Sequence, residues 1–347
     1  MPTTISDVAA RAGVSTATVS RVLAGIGRAR PETRERVIAA ARDLDYRPSA
    51  IARSLRIRST RTIGVITTDI TNPFYAAIVR VIDDAVRRRK QAILLGNSGE
   101  VPEREADYLD LLTERRVDGI IIASSALSRR HADWLRKAEV PVVLINADAG
   151  GGILPSILSD NRAGSRAAVD YLVAIGHQAI GIVAGPLDNV ATGQRVDGAL
   201  DGLAAAGLAD HRIVHGDGHV ASGATALDEM LDRWPETTAI VCHNDLMALG
   251  AVGRARSRGL RVPDDISIIG FDDIDLARFL DPPLTTLAQD VAAMGEWAVE
   301  RLAAELTARE DGHTPWASGG RDVVHLPVSL RIRGSTGKAP VAAARGS

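Results

Sequence analysis

ISDVAARAGVSTATVSRVLAGIG, residues 5–27, decides how the N-terminal part of this 347-residue chain folds. Thr4 stands where a helix needs its N-cap, and Asp7 three residues on completes a capping-box pattern. Val8, Ala9 and Ala12 make a small apolar face, and Gly13 permits the left-handed backbone of a tight turn. Val14 is expected to be buried in that turn. Ser15 caps a second helix, Thr16 to Leu23, whose Val19, Val22 and Leu23 face inward. Thr16, Ala17, Ser20 and Arg21 are left outside. Two short helices around a glycine turn, the second opening on small polar residues, predict a helix-turn-helix whose second helix enters the major groove. A plain surface hairpin is the alternative.

Charge weighs between the two. Residues 1–61 hold 12 Arg against 5 acids, a charge of +7 in a chain that totals −2, so the remainder carries −9. A basic head on a large acidic body fits a nucleic-acid reader joined to a sensor. A third helix is predicted from Pro31 to Leu44, with Val37, Ile38, Ala41 and Leu44 closing the core and Arg30 a poor cap. Pro48 breaks it, and Ser49 can cap a short segment, Ala50 to Arg56, too short to be helical alone in water. That fits a hinge ordered by DNA.

From Thr62 onward apolar runs alternate with amphipathic stretches. TIGVIT, AILLGN, DGIIIA and PVVLIN come first, then AIGIVAG, TAIVCH and ISIIGF. Such runs predict parallel strands in βαβ units, and two successive sets predict two doubly wound α/β lobes. Ligands of such sheets bind at strand carboxyl ends, here the cleft between lobes. The polar or aromatic residues just past the strands are Thr68, Phe74, Tyr75, Asn146 and Asp160, followed by Arg195, Asn244 and Asp272. Arg paired with Asp or Asn offers charge-assisted bonds suited to sugar hydroxyls. Each also has a plain reading: Asp272 a turn acid, Asn244 a helix cap, Arg195 a solvated helix charge.

DVAARAGVSTATVSRVL, the RPSAIARSL hinge and TIGVITTDITNPFY together resemble the lactose/galactose-repressor (LacI/GalR) family of bacterial transcription regulators. AIGHQAIGIVAGP, TGQRVDGAL, HNDLMALGAV, DDISIIGFDDID, PPLTTLAQD and LPVSLRIRGSTG continue the resemblance in family order, over nearly the whole chain. It implies a helix-turn-helix head over 1–48, a hinge over 49–60, and a two-lobe body over 61–336 like periplasmic sugar-binding proteins. Three crossings between lobes are implied near Asn161, Asp290 and Asp322. They divide the body into a first lobe of 61–161 and 290–322 and a second of 162–289 and 323–336. Residues 337–347 are expected to be a disordered tail, and 308–322 a surface loop.

The resemblance also implies that Arg195, Asn244 and Asp272 contact an effector, and that Leu55 wedges between base steps in the minor groove. Ala52 would let two hinge helices approach, while Arg53 and Arg56 reach phosphates. On the second helix, Arg21 is the expected guanine reader, with Thr16 and Ala17 making short base contacts. Thr4, Ser15, Thr18, Ser20, Tyr46 and Ser49 complete the expected DNA contacts. Ala24 stands where the family often has Asn, and Gly218 where several relatives carry an effector-stacking aromatic. With Phe74 and Tyr75 the main aromatics nearby, a neutral carbohydrate is the favoured effector and a nucleobase the alternative. His219 or Trp234 could restore the missing face. A half-site reader implies a homodimer on a pseudo-palindromic operator in double-stranded DNA. The tail has no heptads for a further assembly helix.

Other classes find little support. No apolar run nears the ~18 residues of a membrane helix, and no signal-peptide stretch opens the chain, so a bacterial cytoplasmic protein is expected. Cys242 is the one cysteine and cannot form an intrachain disulfide. The histidines, among them His131, His177, His211, His215, His219 and His243, show no HExxH or Cys/His ligand spacing, and no metal is expected. GxGxxG, the P-loop and GxSxG are all missing, so neither a nucleotide cofactor nor an enzyme is expected. A solute-binding protein and an architectural DNA binder remain as alternatives; the basic head argues against the first, the acidic body against the second.

Overall fold

The computed structural model describes residues 3–23, 29–46, 59–99, 101–123, 140–147, 154–187, 189–208, 210–311 and 322–340. The chain divides into two units, Met1–Thr60 and Arg61–Ser347. In the first, α1 (Ile5–Ala12), α2 (Thr16–Leu23) and α3 (Pro31–Asp43) enclose Val8, Ala9, Ala12, Val19, Val22, Val37, Ala40 and Ala41. The Thr4–Asp7 capping box forms, and Gly13 turns the chain at φ 62°. Arg30 makes no side-chain cap, and Pro at the first turn starts α3 in its place. Val14 and Leu23 are half-buried rather than buried, since so small a core cannot cover its own edges.

The second unit holds two sheets. One is built from β1 (Thr62–Thr67), β2 (Ala92–Asn97), β3 (Gly119–Ala123), β4 (Val142–Ile145), β5 (Ser156–Ser159) and β11 (Val323–Leu326), in the order β11-β5-β4-β3-β1-β2. Every pairing in it is parallel. The other is built from β6 (Ile180–Ala184), β7 (Arg212–His215), β8 (Ala239–Cys242), β9 (Ser267–Asp272), β10 (Thr285–Ala288) and β12 (Ser329–Arg331), in the order β12-β10-β9-β8-β6-β7. Only β12 runs antiparallel there. Both sheets are thus doubly wound.

Alternate residues of the apolar runs feed opposite faces. Ile63, Val65, Ile121 and Val143 meet α4 (Pro73–Arg88) and α10 (Val291–Glu310), while Ile66, Ile120, Ile122 and Leu144 meet α5 (Pro102–Glu114). In the other lobe Val183, Ile240 and Ile268 meet α8 (Val220–Arg233) and α9 (Asp245–Ser257). Ile182, Val241, Ile269 and Phe271 meet α6 (Asn161–Ala174) and α7 (Val190–Ala205). Strands covered on both faces have no need of polar alternation, so the runs read as continuous.

Three boundaries differ from expectation. Val323–Leu326 pairs with β5, so the last crossing falls at Pro327–Val328 rather than near Asp322. Residues 308–310 still belong to α10 and not to a loop. Residues 337–340 are not a free tail: Gly337 N donates to Ser267 Oγ at 3.1 Å, its carbonyl accepts from His177 Nε2 or Ser267 Oγ, and Ala339 N donates to Ile175 O at 3.1 Å. Among the described residues no helix is long and apolar enough to cross a membrane.

Candidate functional site

The carboxyl ends of the strands in both lobes line one cavity of about 240 Å³. Asp69, Thr71 and Asn72 follow β1, Asn146 follows β4, Asp217, Gly218 and His219 follow β7, and His243 and Asn244 follow β8. The first turns of α4 and α7 add Phe74, Tyr75 and Ala191. Asparagine caps place these helix starts at the rim. Asn72 accepts from Phe74 N at 3.0 Å, Asn189 from Thr192 N at 3.2 Å and Asn244 from Met247 N at 2.8 Å.

Six of the eight expected effector residues meet here: Phe74, Tyr75, Asn146, Arg195, Asn244 and Asp272. Two do not. Thr68 is fully buried with its hydroxyl 3.5 Å from the carbonyl of Ala123, and Asp160 is the N-cap of α6, accepting from Ala163 N at 3.0 Å. Asp69, Asn72, Asn189 and Asp217 line the cavity without having been expected. The asparagines could have been found from the sequence, since a cap preceding a helix that follows a parallel strand must lie at the ligand end.

Arg195 is the centre of the site. Its guanidinium stacks on Phe271, Cζ 3.6 Å from the ring centroid, and its Nε donates to Asn161 Oδ1 at 2.9 Å. Nη1 donates to the carbonyl of His243, and Nη2 lies 3.8 Å from Asp272 Oδ1. These contacts fix a planar fork that remains charged although burial lowers its pKa. Burial also pushes the Asp272 carboxyl above its usual range, opposed by Arg195 and by a bond from Gln289. Asp272 and Asn146 both adopt positive φ, 122° and 54°, a costly geometry for non-glycine residues that aims one side chain from each lobe.

Two residues behind the cavity were not anticipated. Gln289, at the second crossing, donates to Asp272 Oδ1 at 2.7 Å and accepts from Ser159 Oγ at 2.6 Å and Asn146 Nδ2 at 3.4 Å. It therefore ties the floors of the two lobes together. Asp245 is fully buried, accepting from the Thr286 hydroxyl and from Ile274 N at 2.9 Å. Burial, and the nearby Asp272 charge, hold its carboxyl well above the ordinary range. Gly270 makes the room: a Cβ there would lie 2.1 Å from Asp245 Oδ1.

Among the described residues, the phenyl and phenol rings that line the cavity, Phe74 and Tyr75, come from the first lobe. Gly218, at φ 91°, leaves its carbonyl to Asn244 Nδ2 at 2.8 Å, so Asn244 is engaged at both ends of its amide. Trp234 does not line the cavity; it packs on the core with Arg233 Cζ 4.3 Å over its ring. His219 does line it.

In the N-terminal unit Thr16, Ala17 and Arg21 are exposed on α2, as a groove-reading face requires. Arg21 Nε reaches back to Ala17 O at 3.3 Å, and Ser15 and Thr18 share a hydroxyl bond of 2.9 Å. Thr4 is exposed, while Ser20 and Tyr46 are half-buried. Ser49, Ala52, Arg53, Leu55 and Arg56 lie outside the described residues.

The two units match two family models. Residues 4–49 match the bacterial regulatory proteins of the lacI family, and residues 60–315 the periplasmic binding proteins and sugar binding domain of the LacI family. The HTH-type transcriptional repressor CytR of Escherichia coli (strain K12) is 36% identical over 339 residues, 97% of either chain. The lac repressor dimer bound to operator and the anti-inducer ONPF superposes with a TM-score of 0.83 at 32% identity, over 97% of this chain and 100% of that one. The transcriptional regulator CelR in complex with cellobiose gives 0.71 at 31% identity, over 96% and 99%.

Proposed function

The chain belongs to the LacI family of bacterial regulatory proteins, DNA-binding regulators rather than enzymes, and we propose that it represses transcription as a homodimer whose grip on operator DNA is set by a small effector in the interlobe cavity. The observation that carries the effector half is the buried Arg195–Asp272 pair, held open to the cavity with its fork already oriented. Such a pair offers donors and an acceptor to adjacent hydroxyls without first having to be ordered.

We infer a neutral carbohydrate. Polar groups from both lobes surround the cavity, the flat surfaces of Phe74 and Tyr75 come from one side only, and the related CelR is seen with cellobiose. A nucleoside is the second reading. Its ribose presents the same adjacent hydroxyls, and the His219 ring on the second lobe favours it. Binding uses Phe74, Tyr75, Asn146, Arg195 and Asp272, with Asn244 holding the Gly218 loop. Thermal-shift screening with free sugars, nucleosides and nucleobases separates these readings. Stabilisation by a nucleobase alone would overturn both.

On DNA, α2 lies in the major groove, with Arg21 reading guanine and Thr16 and Ala17 contacting bases, while Thr4, Ser15, Thr18, Ser20 and Tyr46 serve the backbone. We infer that residues 49–60 serve as the hinge segment for DNA, with Leu55 reading the minor groove and Ser49, Ala52, Arg53 and Arg56 contributing to the same contact. Binding-site selection should return a pseudo-palindrome. Arg21→Ala should cost about 1–3 kcal/mol and relax one position in each half-site. An unchanged motif bound uniformly more weakly would assign Arg21 to phosphate.

A further inference from the structure

His219 Nε2 lies 3.4 Å from Asp69 Oδ2, and these two residues belong to different lobes. Asp69 follows β1 and is locked in place by Thr71, whose backbone N and hydroxyl both donate to Asp69 Oδ1 at 2.8 Å. His219 opens α8, and its Nδ1 lies 3.2 Å from Asp217 Oδ1. Asp217 in turn receives His219 N at 2.9 Å. Both ring nitrogens therefore face carboxylates, one on each side of the cavity mouth. Only the doubly protonated ring can donate to both.

We propose that Asp69 and His219 form a proton-dependent latch across the cleft, holding the lobes closed in mild acid and releasing them as the ring deprotonates. The proposal rests on the reading of this cavity as the effector site, but the latch itself requires no effector.

The charges acting on His219 are those of Asp217, on its own loop, and Asp69, from the opposite lobe. Burial lowers its pKa, yet the Asp217 hydrogen bond and the two carboxylate charges together outweigh this and leave it above the ordinary histidine value. Arg195, Asp272, His243 and Tyr75 also line the cavity. Arg195 stays charged throughout, and His243 is kept neutral by burial and by the Arg195 charge. Loss of the His219 proton removes the cation that Asp69 and Asp217 both face, which favours opening. His219 is half exposed, its side chain 55% accessible, so solvent screens the pair and the effect is modest. A device that shifts a near-balanced open–closed equilibrium needs no more than that.

Spin labels on the full-length protein test the latch. Asp107→Cys and Thr225→Cys place one exposed label on each lobe, neither among the residues that line the cavity, in a Cys242→Ala background. Excess unlabelled chain keeps labelled protomers apart. Distances are measured by double electron–electron resonance between about pH 5 and 8, the range over which histidine titrates. The closed-to-open ratio should fall about threefold as pH rises, the size an exposed ion pair supports. The dependence should vanish in Asp69→Asn and in His219→Asn. A wild-type distribution that does not move with pH, or an undiminished response in both variants, overturns the latch. Neither result touches the carbohydrate reading, which is judged by thermal shift alone.

Discussion

Gln289 donates to Asp272 across the crossing between lobes, Nε2 to Oδ1 at 2.7 Å. The bond gives the buried carboxylate a neutral donor beside Arg195, whose Nη2 is more distant at 3.8 Å. The same amide accepts from Ser159 Oγ, so one side chain satisfies groups in both lobes. Its removal takes the acceptor from Ser159 Oγ and leaves Asp272 to the more distant Arg195.

Gln289→Leu should therefore destabilise the body by about 1–3 kcal/mol, the usual cost of leaving buried polar groups unpaired. Urea unfolding would show it as a lowered midpoint at constant slope. Gln289→Glu is the sharper variant. It sets a second carboxylate beside one that burial already pushes up, so its stability deficit should be larger at pH 8 than at pH 6. Equal deficits at the two values would mean that Gln289 acts only by packing.

Helix pairing in the second lobe relies on missing side chains. A Cβ on Gly250 would lie 1.9 Å from Val220 O, and one on Gly223 2.0 Å from Met247 O, so α8 and α9 touch backbone to backbone. Gly250→Ala should cost about 1–3 kcal/mol or more through overpacking. Gly253, in the same helix, has nothing within 4 Å of its would-be Cβ. Gly253→Ala should instead add about 0.5–1 kcal/mol, from helix propensity alone. Opposite signs in the unfolding midpoints would distinguish contact from propensity.

The architecture was legible because parallel strands buried on both faces leave continuous apolar runs such as Ile120–Ile122 and Val142–Ile145. The last crossing was not. Val323–Leu326 is an edge strand with one exposed and three half-buried residues, so it lacks that mark and reads as a linker. Among the candidate residues, Asp272 follows from its place at the end of a strand, whereas Arg195, inside α7, is singled out by the family resemblance. Thr68 and Asp160 failed because one side chain turns inward at the strand end and the other is used up as a cap. Gln289 and Asp245 escaped for a different reason. A polar residue after a strand and an acid at a helix start both look solvated in sequence, and only tertiary contacts bury them.

His177 is buried between Thr238 Oγ1, 2.9 Å from Nδ1, and Ser267 Oγ, 3.0 Å from Nε2. Burial lowers its pKa, only partly opposed by the Gly337 carbonyl. Below the ordinary histidine value of about 6.5 the unfolded chain binds a proton that the folded one refuses, so stability from this group is lost as pH falls. Asp245 and Asp272, raised in the fold, act in the opposite sense, so the wild-type profile is a sum. Comparing unfolding midpoints at about pH 5.5 and 7.5 in wild type and His177→Asn isolates the histidine. The variant should lose less stability in acid than wild type does, and an identical slope would show that His177 is protonated in the fold.

Arg195 divides the switch from the reader. Its fork meets His243 and Phe271 of the second lobe and Asn161 at the first crossing, and presents its remaining face to the cavity beside Asp272. Arg195→Ala removes the oriented donor and leaves the Asp272 carboxyl without a cation, so effector affinity should collapse. The helix-turn-helix belongs to a separate unit with its own core, so operator affinity without effector should stay within about twofold, given that distant sites act additively. The fold itself should weaken by about 1–3 kcal/mol from the lost bonds, which thermal unfolding checks independently. Operator titrations with and without the effector found by screening then give two curves for wild type and one for the variant. A folded Arg195→Ala protein that binds no operator in either condition would show that the cavity shapes the DNA-binding form directly, and not only through ligand.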